Sequence, residues 1–239
     1  MQSFDFLAGE VLLIDKPYDW TSFDVVNKIK TLLKHQLGIK KIKMGHAGTL
    51  DPLATGLLIL CTGCFTKKID EYQDQEKEYA GTFVLGATTP SFDMETPIDK
   101  SFDISNITDE EIMAAAKTFV GNIKQIPPVY SAKKIGGERA YEFARKGIEI
   151  TMVAKDVVIK EFEITKIQLP EVTFRVVCSK GTYIRSLVKD IGEKLGNGAY
   201  LSQLRRTRIG SFCVEQALDI EKIIDLITQQ KEKIVVNAG

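Results

Sequence analysis

The chain is poor in the residues that mark the more specialised protein classes. It has 239 residues but only four cysteines, two histidines, seven prolines and one tryptophan. Cysteines this sparse do not form the dense disulfide framework of a small secreted domain. Cys61 and Cys64 offer half of a zinc site, but Cys178 and Cys213 stand alone, and the only histidines are His35 and His46. Neither structural zinc nor a redox dithiol is supported, so the thiols read as free. No apolar run reaches the roughly 18 residues that a membrane span requires. No basic segment followed by a long apolar stretch opens the chain, so no secretory signal is read. There is no G-x-x-x-x-G-K-[ST] to cradle a nucleotide phosphate and no G-x-S-x-G to present a serine nucleophile. The expectation is a cytoplasmic globular protein with no membrane contact, no metal and no cofactor.

An excess of charge is also missing. Thirty-two basic residues balance 32 acidic ones, which on its face argues against a nucleic-acid partner. The charges are nevertheless segregated along the chain. Between Lys28 and His46 there are six lysines and no acid, and from Arg175 to Arg208 there are eight basic residues against Asp190 and Glu193. Between Asp93 and Glu111 there are seven acids against Lys100 alone. Two basic blocks on one face can hold a phosphate backbone while the acidic block faces away. Any one block alone is as well explained as a solvated helix or loop face.

What is present is enough for a core. A chain of this length, 44% hydrophobic, buries about 70–75% of the surface that its unfolded form exposes. Val11–Ile14 reads as a strand, and Thr21-Ser22 caps a helix carried by Val25, Val26, Ile29, Leu32 and Leu33. Residues 38–56 read as a long structured loop, and 57–61 as a buried strand or the end of a helix. Tyr79–Leu85 has strand character. Thr108 followed by Glu111 opens a second helix with a capping box. Gly136-Gly137 is a turn before a helix over 139–146. Val157–Ile167 and Val172–Cys178 are strands joined at Pro170. Helices follow over 182–195 and 221–230. Helices and strands mix without strict βαβ regularity, which predicts an α/β (α+β) protein with a mixed, largely antiparallel sheet and flanking helices. Residues 1–239 are expected to form one domain, with a mobile acidic insertion near 91–107 and a short helical tail over 215–239.

The densest stretch is Gly45-His46-Ala47-Gly48-Thr49-Leu50-Asp51-Pro52-Leu53-Ala54-Thr55-Gly56. Its three glycines let the backbone turn tightly or approach a ligand closely. Taken alone, Asp51-Pro52 is a good helix start, Asp as cap and Pro at the first helical position. That does not explain why a histidine, a carboxylate and three glycines crowd into twelve residues beside a lysine-rich run.

The stretch resembles the catalytic loop of the bacterial TruB family, the tRNA pseudouridine-55 synthases, with its G-x-x-G-x-L-D-P-x-A-x-G pattern. Further segments match in family order: Lys16-Pro17, Lys77-Glu78-Tyr79, Gln125 to Ala132 (QIPPVYSA), Cys178 to Leu187 (CSKGTYIRSL) and Leu204-Arg205-Arg206. The likeness covers about residues 10–215. Ala47 departs from the threonine that many members carry, and the chain is expected to lack the C-terminal RNA-binding (PUA) domain found in many of them.

The resemblance implies the pseudouridine synthase catalytic fold and a site set for an enzyme acting on the T-arm stem-loop of tRNA as a monomer. Asp51, Tyr79 and Arg185 would be catalytic, with Arg185 pairing Asp51 and Tyr79 stacking on the uracil. His46, Tyr183 and Leu204 would line a pocket for the flipped nucleotide, with Lys16 in support. Lys40, Lys41, Lys43, Arg205, Arg206 and Arg208 would meet the RNA backbone. Two other functions fit the same residues: a tRNA-folding chaperone without essential turnover, and a synthase of the same family acting on another RNA.

Overall fold

A computed structural model describes residues 4–131, 133–148 and 150–237. Ala132, which ends the QIPPVYSA segment, and residues 238–239 of the expected tail lie outside the described residues. In chain order the elements are β1 (Val11–Lys16), α1 (Ser22–Leu37), β2 (Met44–His46), β3 (Ala54–Thr62), α2 (Ile69–Asp74) and β4 (Lys77–Leu85). The short strands β5 (Ala87–Thr88) and β6 (Lys100–Ser101) follow, then α3 (Asp109–Lys117), β7 (Gly121–Gln125), β8 (Lys134–Ile135), β9 (Glu138–Arg139) and α4 (Ala140–Arg145). The chain continues through β10 (Lys155–Gln168), β11 (Glu171–Cys178), α5 (Ile184–Lys194), β12 (Ala199–Ile209), β13 (Phe212–Cys213) and α6 (Ile220–Asn237). These elements form two compact units. One comprises residues 1–77 and 205–239, the other residues 78–204.

In the discontinuous unit the strand order is β1, β3, β12, with β2 on β3 and β13 on β12. The pairs β1/β3, β2/β3 and β12/β13 are antiparallel. Strand β3 is apolar from Leu57 to Cys61 because both its faces are covered. Leu58 and Leu60 join the cluster of Ile14, Val25, Ile29, Leu33, Ile223 and Ile227, while Leu57, Ile59 and Cys61 join Ala47, Ile209 and Val214. Helix α1 begins as its sequence requires. Thr21 accepts from the Asp24 N–H, Asp24 reaches back to the Thr21 N–H, and Gly38 ends the helix at φ 70°. All four cysteines are free, and burial pushes the Cys61 thiol up to about 11.

In the second unit the order is β12, β4, β11, β10, β7, and β10 pairs antiparallel with both β11 and β7. Phe174 packs against Phe83 and edge-on to Phe162 at its centre. The capping box of Thr108 and Glu111 opens α3 as predicted. The largely antiparallel mixed fold agrees with the sequence-based expectation. Several strands escaped that expectation, among them β7 and β12 and the short β2 inside the expected loop. Within the expected insertion, β6 pairs with β5, and Asp93 is buried at 5% exposure while the other acids of the block are exposed.

Candidate active site

The loop between β2 and β3 carries Asp51, and a run of its backbone carbonyls is held. Five consecutive carbonyls find donors. Gly48 O and Thr49 O accept from the Arg206 guanidinium at 3.1 and 3.5 Å. Leu50 O accepts from Ser22 Oγ at 3.4 Å, and the same hydroxyl accepts from the Leu50 N–H at 2.9 Å. Asp51 O accepts from the Ala54 N–H at 3.1 Å. Pro52 O accepts from the Asp19 N–H at 3.0 Å and from Lys16 Nζ at 3.1 Å. A loop with no regular ladder of its own thus satisfies these carbonyls, as a partly buried segment must. The Asp51 side chain remains half-exposed on this fixed frame.

Asp51-Pro52 does not start a helix. The Ala54 N–H closes a turn onto Asp51, and the chain runs directly into β3. The local cap preference loses here to strand pairing, because Gly56 onward is already in register with Lys16 of β1. The loop glycines lie beside another part of the chain. A Cβ on Gly56 would lie 2.3 Å from the Arg206 carbonyl oxygen, and one on Gly48 would touch Arg206 Nη1 at 3.5 Å. At Gly56 the close neighbour is the Arg206 backbone, and at Gly48 the contact is an ordinary one.

Lys16 lies at the end of β1, fully buried, with Nζ on the carbonyls of Pro17, Trp20 and Pro52. Burial lowers its pKa to about 8, Asp51 opposes that shift, and Arg206 adds to it. His46, on β2, is half-buried, and burial followed by the charge of Arg206 holds its imidazole below the usual range. Lys16, His46, Asp51 and Arg206 therefore share one electrostatic neighbourhood.

The basic residues divide sharply. Lys40, Lys41 and Lys43 are exposed. Arg206, expected at the RNA backbone, is instead 1% exposed, and its Nε donates to Leu57 O at 2.7 Å. Its three acceptors are all backbone carbonyls of the loop and of β3. Arg205 makes a two-pronged pair with Asp15 at 3.0 and 2.6 Å, and Arg208 bonds Glu76 and the Gly210 carbonyl, each at 2.8 Å. These two arginines stay partly exposed but already hold carboxylates.

In the second unit, Tyr79 sits near the start of β4 with 8% exposure, and Leu204 is half-buried on β12. Tyr183 immediately precedes α5, and Gln125 grips its backbone from both sides. Gln125 Oε1 accepts from the Tyr183 N–H at 2.7 Å, and Nε2 donates to the Tyr183 carbonyl at 3.0 Å. Ser186 Oγ adds a bond to the Ile126 carbonyl at 2.8 Å. Between these anchors Arg185 is buried, 3.5 Å from Asp93, with Nη1 on the Ser91 carbonyl. Asp93, Ser91 and the clamp by Gln125 were not singled out by sequence reasoning. A buried acid inside an acidic run carries no local mark, although Gln125 was visible as part of a motif. Among the described residues no group of three or more His, Cys, Asp or Glu could hold a metal ion, and no helix is long and apolar enough to cross a membrane.

Comparisons with known proteins cover nearly the whole chain. The family model described as TruB family pseudouridylate synthase, N-terminal domain, matches residues 34–184. The one described as tRNA pseudouridylate synthase B C-terminal domain matches residues 185–237. The chain is 55% identical over 230 residues to a tRNA pseudouridine synthase B of Parabacteroides distasonis, spanning 96% of this chain and 98% of that relative. It is 57% identical over 217 residues to a tRNA pseudouridine synthase B of Flavobacterium johnsoniae, spanning 90% and 95%. Among solved structures, one of an H/ACA ribonucleoprotein bound to a substrate RNA containing 2′-deoxyuridine superposes with TM-score 0.69 at 28% identity, over 95% of this chain and 56% of that one. A Cbf5–Nop10–Gar1 complex gives TM-score 0.70 at 28% identity, over 95% and 60%. The chain thus spans little more than half the length of these two structural relatives.

Proposed function

The chain belongs to the TruB family of tRNA pseudouridine synthases, and from that premise we propose that it isomerises the uridine at position 55 in the T loop, with Asp51 as the catalytic carboxylate. The reaction breaks the C1′–N1 bond, turns the uracil and joins C5 to C1′. C5 loses a proton and N1 gains one, so the atoms balance without a co-reactant. A carboxylate can serve by attacking the sugar, attacking the base or removing a sugar proton, and each route needs it ionised and held in place. The observation that carries the reading is the loop itself: five successive carbonyls bonded, and the Asp51 side chain half-exposed on them. Preorganisation of this kind is what positions a reacting group.

The other roles follow the resemblance. Arg185, which the resemblance pairs with the carboxylate, is fixed within its own unit by Asp93 and by the Gln125 clamp on its neighbour Tyr183. Tyr79 offers a largely buried aromatic face on which the uracil stacks once the nucleotide is flipped out of the folded T arm. The resemblance assigns His46, Tyr183 and Leu204 to the pocket for that nucleotide. Lys40, Lys41 and Lys43, all exposed, meet backbone phosphates. Arg205 and Arg208 do so only by sharing their guanidinium groups with Asp15 and Glu76.

Tritium release from tRNA labelled at uridine C5 tests this reading, followed by mapping of the modified base. Release of one equivalent, mapped to the T-loop uridine, is expected from whole tRNA and from an isolated T-arm stem-loop. Modification mapped elsewhere would overturn the site assignment.

A further inference from the structure

We propose that Arg206 is a positioning residue, its buried guanidinium holding the backbone of the Asp51 loop by donating to the carbonyls of Gly48, Thr49 and Leu57. The proposal rests on the reading of Asp51 as the catalytic carboxylate. Arg206 is 1% exposed, so its charge has left water. A buried charge is tolerated only when its hydrogen bonds are satisfied. Here the three acceptors are neutral carbonyls, so the gain is geometric. Nη2 and Nη1 take Gly48 O and Thr49 O, just before Asp51, and Nε takes Leu57 O at 2.7 Å, on the strand that leaves the loop. One rigid planar fork thus ties the arm entering the loop to the strand leaving it.

A second observation comes from the glycines. At φ 102°, Gly56 lies so close to the Arg206 backbone that an added Cβ would meet its carbonyl oxygen at 2.3 Å and its nitrogen at 2.8 Å. Gly48, at φ 97°, sits against the guanidinium itself. The loop and Arg206 are thus fitted closely at Gly56, while at Gly48 the guanidinium lies at ordinary contact distance, 3.5 Å from an added Cβ. Lys16 holds the far side of the loop through Pro52 O, so Asp51 lies between two cationic anchors. His46 reports on one of them, because Arg206 helps to depress its pKa.

The experiment compares wild type with Arg206→Lys, Arg206→Met and Asp51→Asn. It measures single-turnover pseudouridine formation, tRNA affinity, thermal melting and the NMR titration of His46. The titration is readable because the chain has two histidines and the other, His35, is exposed. Arg206→Lys keeps the charge but loses the fork. It is expected to bind tRNA within about threefold, to keep a low His46 pKa, and to lose about a hundredfold in turnover, the scale of a small misplacement of a reacting group. Arg206→Met is expected to lose as much turnover and to raise the His46 pKa. In the wild type, the Arg206 Nε–H signal should be protected from solvent exchange without RNA, a result that needs no variant to fold.

A freely exchanging Nε–H overturns the proposal. So does an Arg206→Lys protein that melts normally and turns over within about threefold of wild type. So does a loss seen in tRNA affinity with turnover at saturation unchanged, which would return Arg206 to the phosphates. If Asp51→Asn turns over normally, the reading of Asp51 fails on its own, whatever Arg206 does.

Discussion

The Arg185 guanidinium approaches the Asp93 carboxylate to 3.5 Å, and both side chains are all but buried, at 4% and 7% exposure. An acid that charge counting assigns to a solvated block is in fact an internal counter-ion. Removing one member of a buried pair strands the other away from water, at about 3–5 kcal/mol. Asp93→Ala should fall toward the lower end of that range in urea unfolding, because Arg185 keeps the Ser91 carbonyl. Asp93→Asn should lose less stability. Both should lose turnover well beyond any loss of tRNA affinity. Equal losses in the two would leave Asp93 with a purely structural part.

Asp51→Asn separates chemistry from folding. Asn is nearly isosteric, and the bonds to the loop carbonyls come from Arg206, Ser22, Lys16 and backbone N–H groups rather than from the side chain of residue 51, so the melting temperature should hardly move. Binding of tRNA should stay within a few-fold, and single-turnover pseudouridine formation should become undetectable. A variant retaining even about a tenth of the wild-type rate, a cost of only about 1.4 kcal/mol in the barrier, would remove Asp51 from the mechanism. Arg185→Lys should recover only part of the activity lost in Arg185→Ala, since an ammonium lacks the planar fork.

The exposed lysines make an ionic-strength prediction. Each neutralised phosphate adds about 0.7–0.9 to the slope of log K against log salt. Lys40→Gln with Lys41→Gln should weaken tRNA binding and flatten that slope by about 1.4–1.8. Turnover at saturating tRNA should be unaffected. An unchanged slope would make these lysines an ordinary solvated surface.

His46 sets a prediction for acid stability. Burial, with Arg206, lowers its pKa below the usual 6.5. Between 6.5 and the folded value, the unfolded chain therefore holds more protons than the folded one. Stability contributed by the neutral imidazole is complete above 6.5 and is lost as pH falls through that window. Wild type should lose stability relative to His46→Gln on acidification from pH 7 to 5, measured by denaturant midpoints. Parallel curves for the two proteins would show that His46 titrates as it does in water.

Much of the fold follows from local pattern. The capping box at Thr21 and Asp24, the box at Thr108 and Glu111, and the strands on either side of Pro170 all depend on residues within a turn or two of one another. The candidate loop was equally plain, because glycines, a histidine and a carboxylate stand together in twelve residues. Strand β12 was not. Its Ser202, Gln203, Arg205, Arg206, Thr207 and Arg208 have the composition of a basic surface, and a strand is betrayed by alternation only when its polar face meets water.

What the sequence determined by itself was the family, the antiparallel α/β character and the identity of the carboxylate to test. Those depend on residue types at short spacings. The tertiary structure alone decided which charges are tools and which are struts. Arg206 and Gly48 are 158 residues apart, Arg185 and the Ser91 carbonyl 94. Nothing local distinguishes an arginine destined for carbonyls from one destined for phosphate, since both present the same planar donors. The difference lies in whether the folded chain brings unsatisfied acceptors to the guanidinium before solvent or RNA can, and in this protein the backbone of the Asp51 loop does so.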